Sequence, residues 1–200
     1  CSAILEDKVP SFLRNSGKGW LTAEYGMLPS STSERMDREA AKGKQSGRTQ
    51  EIQRLIGRSL RCAVNLDILG EKTIKIDCDV ISADGGTRTA SIIGGYVSLV
   101  RAVDRYKSNF NITKAIITNQ IAAISVGVVK GTPCIDLDYM EDSNAEVDCN
   151  IVMANDGQFI EFQSTGEEAK FSKRTILDFI ELVEGQMPEI FVIQNQAIGK

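Results

Sequence analysis

Apolar residues recur at positions 52, 55, 56, 60, 63 and 64, a spacing that predicts an amphipathic helix between Arg48 and Leu66. The next segment, "KTIKIDCDVI", alternates instead. Ile74, Ile76, Cys78 and Val80 fall on one face and Lys75, Asp77 and Asp79 on the other, as in a half-exposed strand. A second helical run covers residues 89 to 106, directly after a glycine turn. "AIITNQIAAISVGVV" and "PCIDLDY" read as strands joined at "KGTP". "VDCNIVMA" and "QFIEFQS" flank Asn155-Asp156-Gly157, a strong hairpin signal. Ser172 to Glu184 closes the pattern with an amphipathic helix. At the other end, "SAIL" reads as the tail of a strand without a start signal, so the chain opens inside an element. Residues 14 to 47, rich in Gly, Ser, Lys and Arg around "GWLTAEYGMLP", read as irregular and exposed. This order predicts an α+β fold, a mixed sheet packed with helices, and with no repeat and no low-complexity linker it shows no sharp boundary within the one or two closely packed domains that 200 residues allow.

Composition removes several chemistries. The chain has no histidine, which excludes Ser-His-Asp triads, Cys-His dyads and histidine-bound metals. Catalysis must therefore use carboxylates, arginines, hydroxyls or a hard metal ion. Five cysteines form an odd set without a CxxC pair, most of them in apolar segments, which fits reduced core thiols in a cytoplasm. No run approaches the ~18 apolar residues of a membrane span, and no secretory signal is visible. Charge is unevenly placed: residues 1–61 hold 11 Lys+Arg against 7 Asp+Glu, and the remainder holds 12 against 20. A basic first third on an acidic body suits an anionic partner meeting one face.

Three constellations carry candidate chemistry. In "SADGGTRTASI", Asp84, Gly85, Gly86, Thr87, Arg88 and Thr89 precede the helical run. One threonine would suffice as a cap. Arg88 beside the positive end of a helix dipole is unfavourable unless an anion lies between them. Arg48 falls on the apolar stripe of its own helix with Ile52, Leu55, Ser59 and Val64, opposite Arg54, Arg58 and Arg61, which are expected in solvent. Such an inward guanidinium matches a phosphate fork. Finally, "DLDYMEDSNAEVD" places six carboxylates in thirteen positions between apolar strands. Crowded carboxylates raise one another's pKa, so one stays protonated as a general acid, or the group shares a divalent ion. An anion site beside an acid cluster suits phosphoryl or nucleotidyl transfer.

"GWLTAEYGMLP", "REAAKGKQSGRTQEIQRLIGRSLR", "DCDVISADGGTRTASI", "DLDYMEDSNAEVDCNIVM" and "EFQSTGEEAKFS" occur in order along the chain. Together they resemble the bacterial ribonuclease PH family, phosphate-dependent 3′-to-5′ exoribonucleases that are also called tRNA nucleotidyltransferases. The resemblance implies a single domain over residues 1–200 with a ribosomal S5 domain 2-like βαβ topology. It implies a homohexameric ring, a trimer of dimers, that trims the 3′ ends of tRNA precursors and acts in rRNA processing. It implies that the anion is inorganic phosphate, the co-substrate, bound by Arg48 and by Gly86, Thr87 and Arg88. It assigns catalysis to Asp142 and Asp148, with Mg²⁺ beside them, and tRNA binding to Arg35 and Arg38. After "MLP" the family usually carries a basic residue, and Ser30 stands there instead. The family also begins with a few dozen further residues that form its first strands. The alternatives are a non-catalytic RNA-binding subunit of an exoribonuclease ring and a small-metabolite phosphotransferase. The first is disfavoured because every site arginine and aspartate is kept.

Overall fold

The structure, a computed structural model, describes residues 1–110, 114–166 and 170–200. Residues 167–169, within the "EFQSTGEEAKFS" segment, lie outside the described residues. Among the described residues, strands β1 (Ser2–Glu6), β2 (Trp20–Met27) and β3 (Thr73–Val80) form a three-stranded sheet in the order β1-β3-β2. Strands β4 (Ile121–Val129), β5 (Thr132–Ile135), β6 (Val147–Ala154) and β7 (Phe159–Gly166) form a four-stranded sheet in the order β5-β4-β6-β7. The first sheet is mixed, with β2 parallel and β1 antiparallel to β3, and the second is antiparallel. Helix α1 (Gly47–Arg61), followed by the one-turn α2 (Leu66–Leu69), connects the parallel pair β2 and β3, a βαβ unit. The α+β expectation holds.

Two cores explain the layering. Ile52, Leu55, Ile56 and Leu60 of α1 pack with Ile74 and Ile76 of β3 and with Ile92, Leu99 and Val103 of helix α3 (Thr87–Phe110). Ala123 of β4 and Val152 of β6 close this core from the second sheet. The opposite face of that sheet sends Ala122, Ile124, Cys149, Ile151 and Met153 against Phe179, Val183 and Met187 of helix α5 (Lys173–Ile198). β4 is therefore buried on both faces, which is why "IAAISV" reads as an unbroken apolar run. Burial raises the Cys78 thiol to about 11 and the Cys149 thiol to about 12, and all five cysteines are free. No helix among the described residues is long and apolar enough to cross a membrane.

Four expectations need correction. "WLTAEYGM" is strand β2, with Leu21, Ala23 and Tyr25 buried on one face; the small Ala and the polar Thr22 and Glu24 hide the alternation. "PCIDLDY" is a strand only to Ile135, because Asp138 caps helix α4 (Tyr139–Ser143) in a capping box with Glu141. Of the three arginines expected in solvent on α1, Arg61 is half-buried, 4.5 Å over the Trp20 ring, and donates to the Leu21 carbonyl. The last helix continues past Gly185 and Pro188 to Ile198. Proline weakens a helix interior, but tertiary bonds hold its far half. The Gln194 amide donates to the Ile93 and Ile121 carbonyls and accepts from Gln120.

Candidate active site

The chain reverses after β3 through Gly85 and Gly86, and each glycine has a separate cause. Gly86 has φ of +68°, in the left-handed region. Gly85 lies so close to the segment before α4 that a Cβ would overlap the Leu137 carbonyl oxygen and stand 2.7 Å from the Asp138 carbonyl carbon. The turn is thus pressed onto the backbone that leads into the acidic helix. Asp84 locks this contact: its Oδ1 accepts from the Tyr139 backbone N–H at 2.7 Å and from Gly85 N–H at 2.9 Å.

α3 begins at Thr87, so the first backbone N–H groups of a long helix open beside the turn. Neither threonine is left as a simple cap. Thr87 Oγ1 is hydrogen-bonded to Tyr25 OH at 2.9 Å, and Thr89 Oγ1 donates to the Gly86 carbonyl at 2.7 Å. Arg88 turns away from the helix axis and pairs with Glu51 of α1 at 3.5 Å. The same carboxylate oxygen accepts from Gln163 Nε2 at 3.1 Å. A carboxylate thus holds the guanidinium from behind.

Arg48 lies in the first turn of α1, with Ile52 and Leu55 below it fully buried, but the inward guanidinium expected from the helical wheel is not found. The core ends one turn short of Arg48, so its side chain is exposed and emerges into a cleft, with Nη1 3.9 Å from Met27 Sδ. That cleft, about 810 Å³, is lined by Arg48, Gly86, Thr87, Arg88, Asp142 and Asp148 together. A second hollow of about 590 Å³ shares Arg48 and adds Arg38 and Lys44. Arg35 lies outside the lining of both and pairs with Asp37 at 3.7 Å. A third hollow, of about 850 Å³ between β1, α3 and α5, carries Arg101 and Arg105 but no carboxylate.

The six-carboxylate cluster divides by role. Asp138 and Glu141 are bound into the capping box, and Glu146 accepts from Gly131 N–H. Asp136 is exposed at φ of +56°. Asp142 and Asp148 alone of the six line the cleft. Among the described residues no group of three or more metal-binding side chains is assembled. Two carboxylates beside an anion pocket nevertheless fit Mg²⁺, which takes one or two carboxylates together with substrate phosphate oxygens.

Sequence reasoning missed Tyr25, Glu51, Ser125, Asn150 and Gln163. Ser125 and Asn150 carried a usable signal, since each is a polar residue in the middle of an apolar strand. The basic first third is also thinner than its sequence suggests. Arg58 pairs with Glu161 at 2.6 Å and Arg61 with Trp20, leaving Arg38, Lys44 and Arg48 along the hollow beside the cleft.

Profiles of the 3′ exoribonuclease family match the chain twice, domain 1 over residues 1–103 and domain 2 over residues 119–183. Ribonuclease PH of Corynebacterium kroppenstedtii is 50% identical over 200 residues, covering all of this chain and 79% of the relative. Rice (Oryza sativa) Rrp46 superposes with a TM-score of 0.77 at 16% identity, over 99% of this chain and 83% of the other. A chain of the Archaeoglobus fulgidus exosome, solved with RNA bound to its active site, superposes with a TM-score of 0.69 at 14% identity, over 90% and 71%. The latter two likenesses concern the fold. The chain belongs to the ribonuclease PH family and is a phosphorolytic 3′ exoribonuclease.

Proposed function

We propose that this enzyme trims the 3′ ends of tRNA precursors, with inorganic phosphate held between Arg48, Arg88 and the backbone N–H groups of Gly86 and Thr87. The observation that carries the reading is that one cleft gathers both arginines, the glycine turn and two carboxylates. A phosphate oxygen attacks the phosphorus of the last phosphodiester and the bond from that phosphorus to the 3′ oxygen breaks. The 3′ oxygen leaves with the electron pair and takes a proton. The products are a nucleoside diphosphate and an RNA shorter by one nucleotide with a free 3′ hydroxyl. Arg48 and Arg88 neutralise charge on the nucleophile and on the phosphoryl group under attack. Asp142 and Asp148 serve the leaving oxygen, one of them as the acid. The same two residues would hold Mg²⁺, which when bound supplies positive charge at the phosphoryl and leaving oxygens.

Arg35 and Arg38 grip the body of the tRNA, on the basic side of the cleft. Assembly as a homohexamer, a trimer of dimers, is part of this reading. Leu177, Val192 and Ile193 of α5 are exposed and offer apolar surface for it. A cytoplasmic site of action follows from the tRNA substrate and from the free thiols.

The test is a 3′-labelled tRNA precursor incubated with and without phosphate. Labelled nucleoside diphosphate that forms only with phosphate is expected. Nucleoside monophosphate released at full rate without phosphate would overturn the reading.

A further inference from the structure

Ser125 of β4, Asn150 of β6 and Gln163 of β7 are directly paired in register and form one polar row across the second sheet. Their side chains lie on the face of the sheet away from Cys149 and Ile151, which point into the opposite core, and Ser125 and Asn150 line the cleft. Each end of the row touches the anion-binding parts. Ser125 Oγ lies 3.5 Å from where a Gly86 Cβ would stand, and it accepts from Leu137 N–H. Gln163 donates to Glu51, which in turn holds Arg88. Asn150 sits between them, with its neighbours' Cβ atoms about 5 Å away on either side. It therefore lies beneath the space between the Gly86 turn and the Arg88 guanidinium.

Asn150 is 4% exposed and lines the cleft, and among the described residues no hydrogen bond holds its carboxamide. Ser125 Oγ accepts from Leu137 N–H and the Gln163 N–H₂ donates to Glu51, while Gln163 Oε1 is buried without a partner. Polar groups in a folded chain are almost always hydrogen-bonded, and the Asn150 carboxamide is the unpaired group of the row that opens into the cleft. A bulky anion resting between the turn and Arg88 would meet this amide from above.

We propose that the Asn150 side-chain N–H₂ donates a hydrogen bond to an oxygen of the bound inorganic phosphate, making it a further ligand of the nucleophile. This rests on the phosphorolytic reading above. Asp148, two residues along the same face of β6, then serves the leaving oxygen while Asn150 holds the attacking group.

The test is a phosphate titration of the initial rate at saturating RNA. The wild-type rate must first rise and saturate with phosphate; a rate indifferent to phosphate would sink the phosphorolytic reading itself. Given that dependence, Asn150→Ala is expected to raise the phosphate KM about tenfold or more, as for a lost hydrogen bond to a charged group. Saturating turnover should stay within about threefold and the RNA KM unchanged. Asn150→Asp, the same size but anionic, should raise the phosphate KM further. A phosphate KM within about twofold of wild type in both variants overturns the proposal. So does an RNA KM that moves while the phosphate KM does not. Asn150→Ser, the mildest truncation, gives a readout independent of turnover. Phosphate should lift its thermal midpoint less than it lifts that of wild type, and an undiminished lift counts against the proposal.

Discussion

The Asp84 carboxylate accepts the Tyr139 backbone N–H at 2.7 Å, joining the turn that precedes α3 to the first residue of α4. The two halves of the cleft, anion-binding turn and acidic helix, come from segments 55 residues apart in sequence. This bond, with the glycine contact beneath it, sets their separation. Asp84→Ala should raise the phosphate KM and lower turnover together, because both halves shift, at a stability cost of about 1 kcal/mol. Asp84→Asn keeps an acceptor at the same place and should restore most of both. Steady-state kinetics with a thermal melt of each variant decide it. An alanine variant with wild-type kinetics would mean that the glycine packing suffices.

Glu51 stands behind Arg88, and its effect should be felt through phosphate. The pair is partly exposed, so its direct contribution to stability is about 1 kcal/mol or less. Glu51→Ala should therefore melt nearly as wild type yet raise the phosphate KM, since Arg88 is free to leave its working position. Arg88→Lys keeps the charge but loses the planar fork and should raise the phosphate KM as well. The double variant should be no worse than Arg88→Lys alone, because the carboxylate then has no guanidinium to aim. Additive losses would show that Glu51 acts elsewhere.

Much of this was legible in the sequence, for identifiable reasons. Helix α1 announced itself through a period that few loops imitate, and the Asn155-Asp156-Gly157 turn fixed its hairpin. Arg48 and Arg88 stood out as charges at helix starts, Asp142 and Asp148 were picked from their six-carboxylate cluster only by the family resemblance, and the fold brings all four to one cleft. Strand β2 was hidden because its buried face uses Ala23 and its outer face Thr22 and Glu24, which resemble a loop. The end of α5 was hidden because Pro188 breaks the local rule, while the Gln194 bonds that override it are long-range. Glu51 and Gln163 could not be found locally, since 112 residues separate them and only sheet register brings them together.

Arg35 and Arg38 lie in the polar segment between β2 and α1, outside the lining of the cleft that holds Asp142 and Asp148. Arg35→Ala combined with Arg38→Ala should weaken tRNA binding while sparing a short oligonucleotide. Each lost phosphate contact should reduce the slope of log affinity against log salt by about 0.9. The measurement is a salt series of binding to both RNAs. Equal losses on the two would place these arginines at the 3′ end of the substrate instead.

The two carboxylates should separate cleanly from the phosphate clamp. Asp148→Asn keeps the shape of the side chain but removes a proton donor and a metal ligand, while Arg48, Arg88 and the turn remain. Turnover should fall by roughly 10²-fold or more, as for loss of a general acid, and the phosphate KM should stay close to wild type. Asp142→Asn should behave alike, because both side chains line one cleft. A double Asn variant should then be little worse than either single one, as groups acting in one step are not additive. Initial rates against phosphate, with folding checked by circular dichroism, give all three comparisons. If Asp148→Asn moved only the phosphate KM at full turnover, the carboxylates would be tuning the anion pocket, and the leaving oxygen would need another donor.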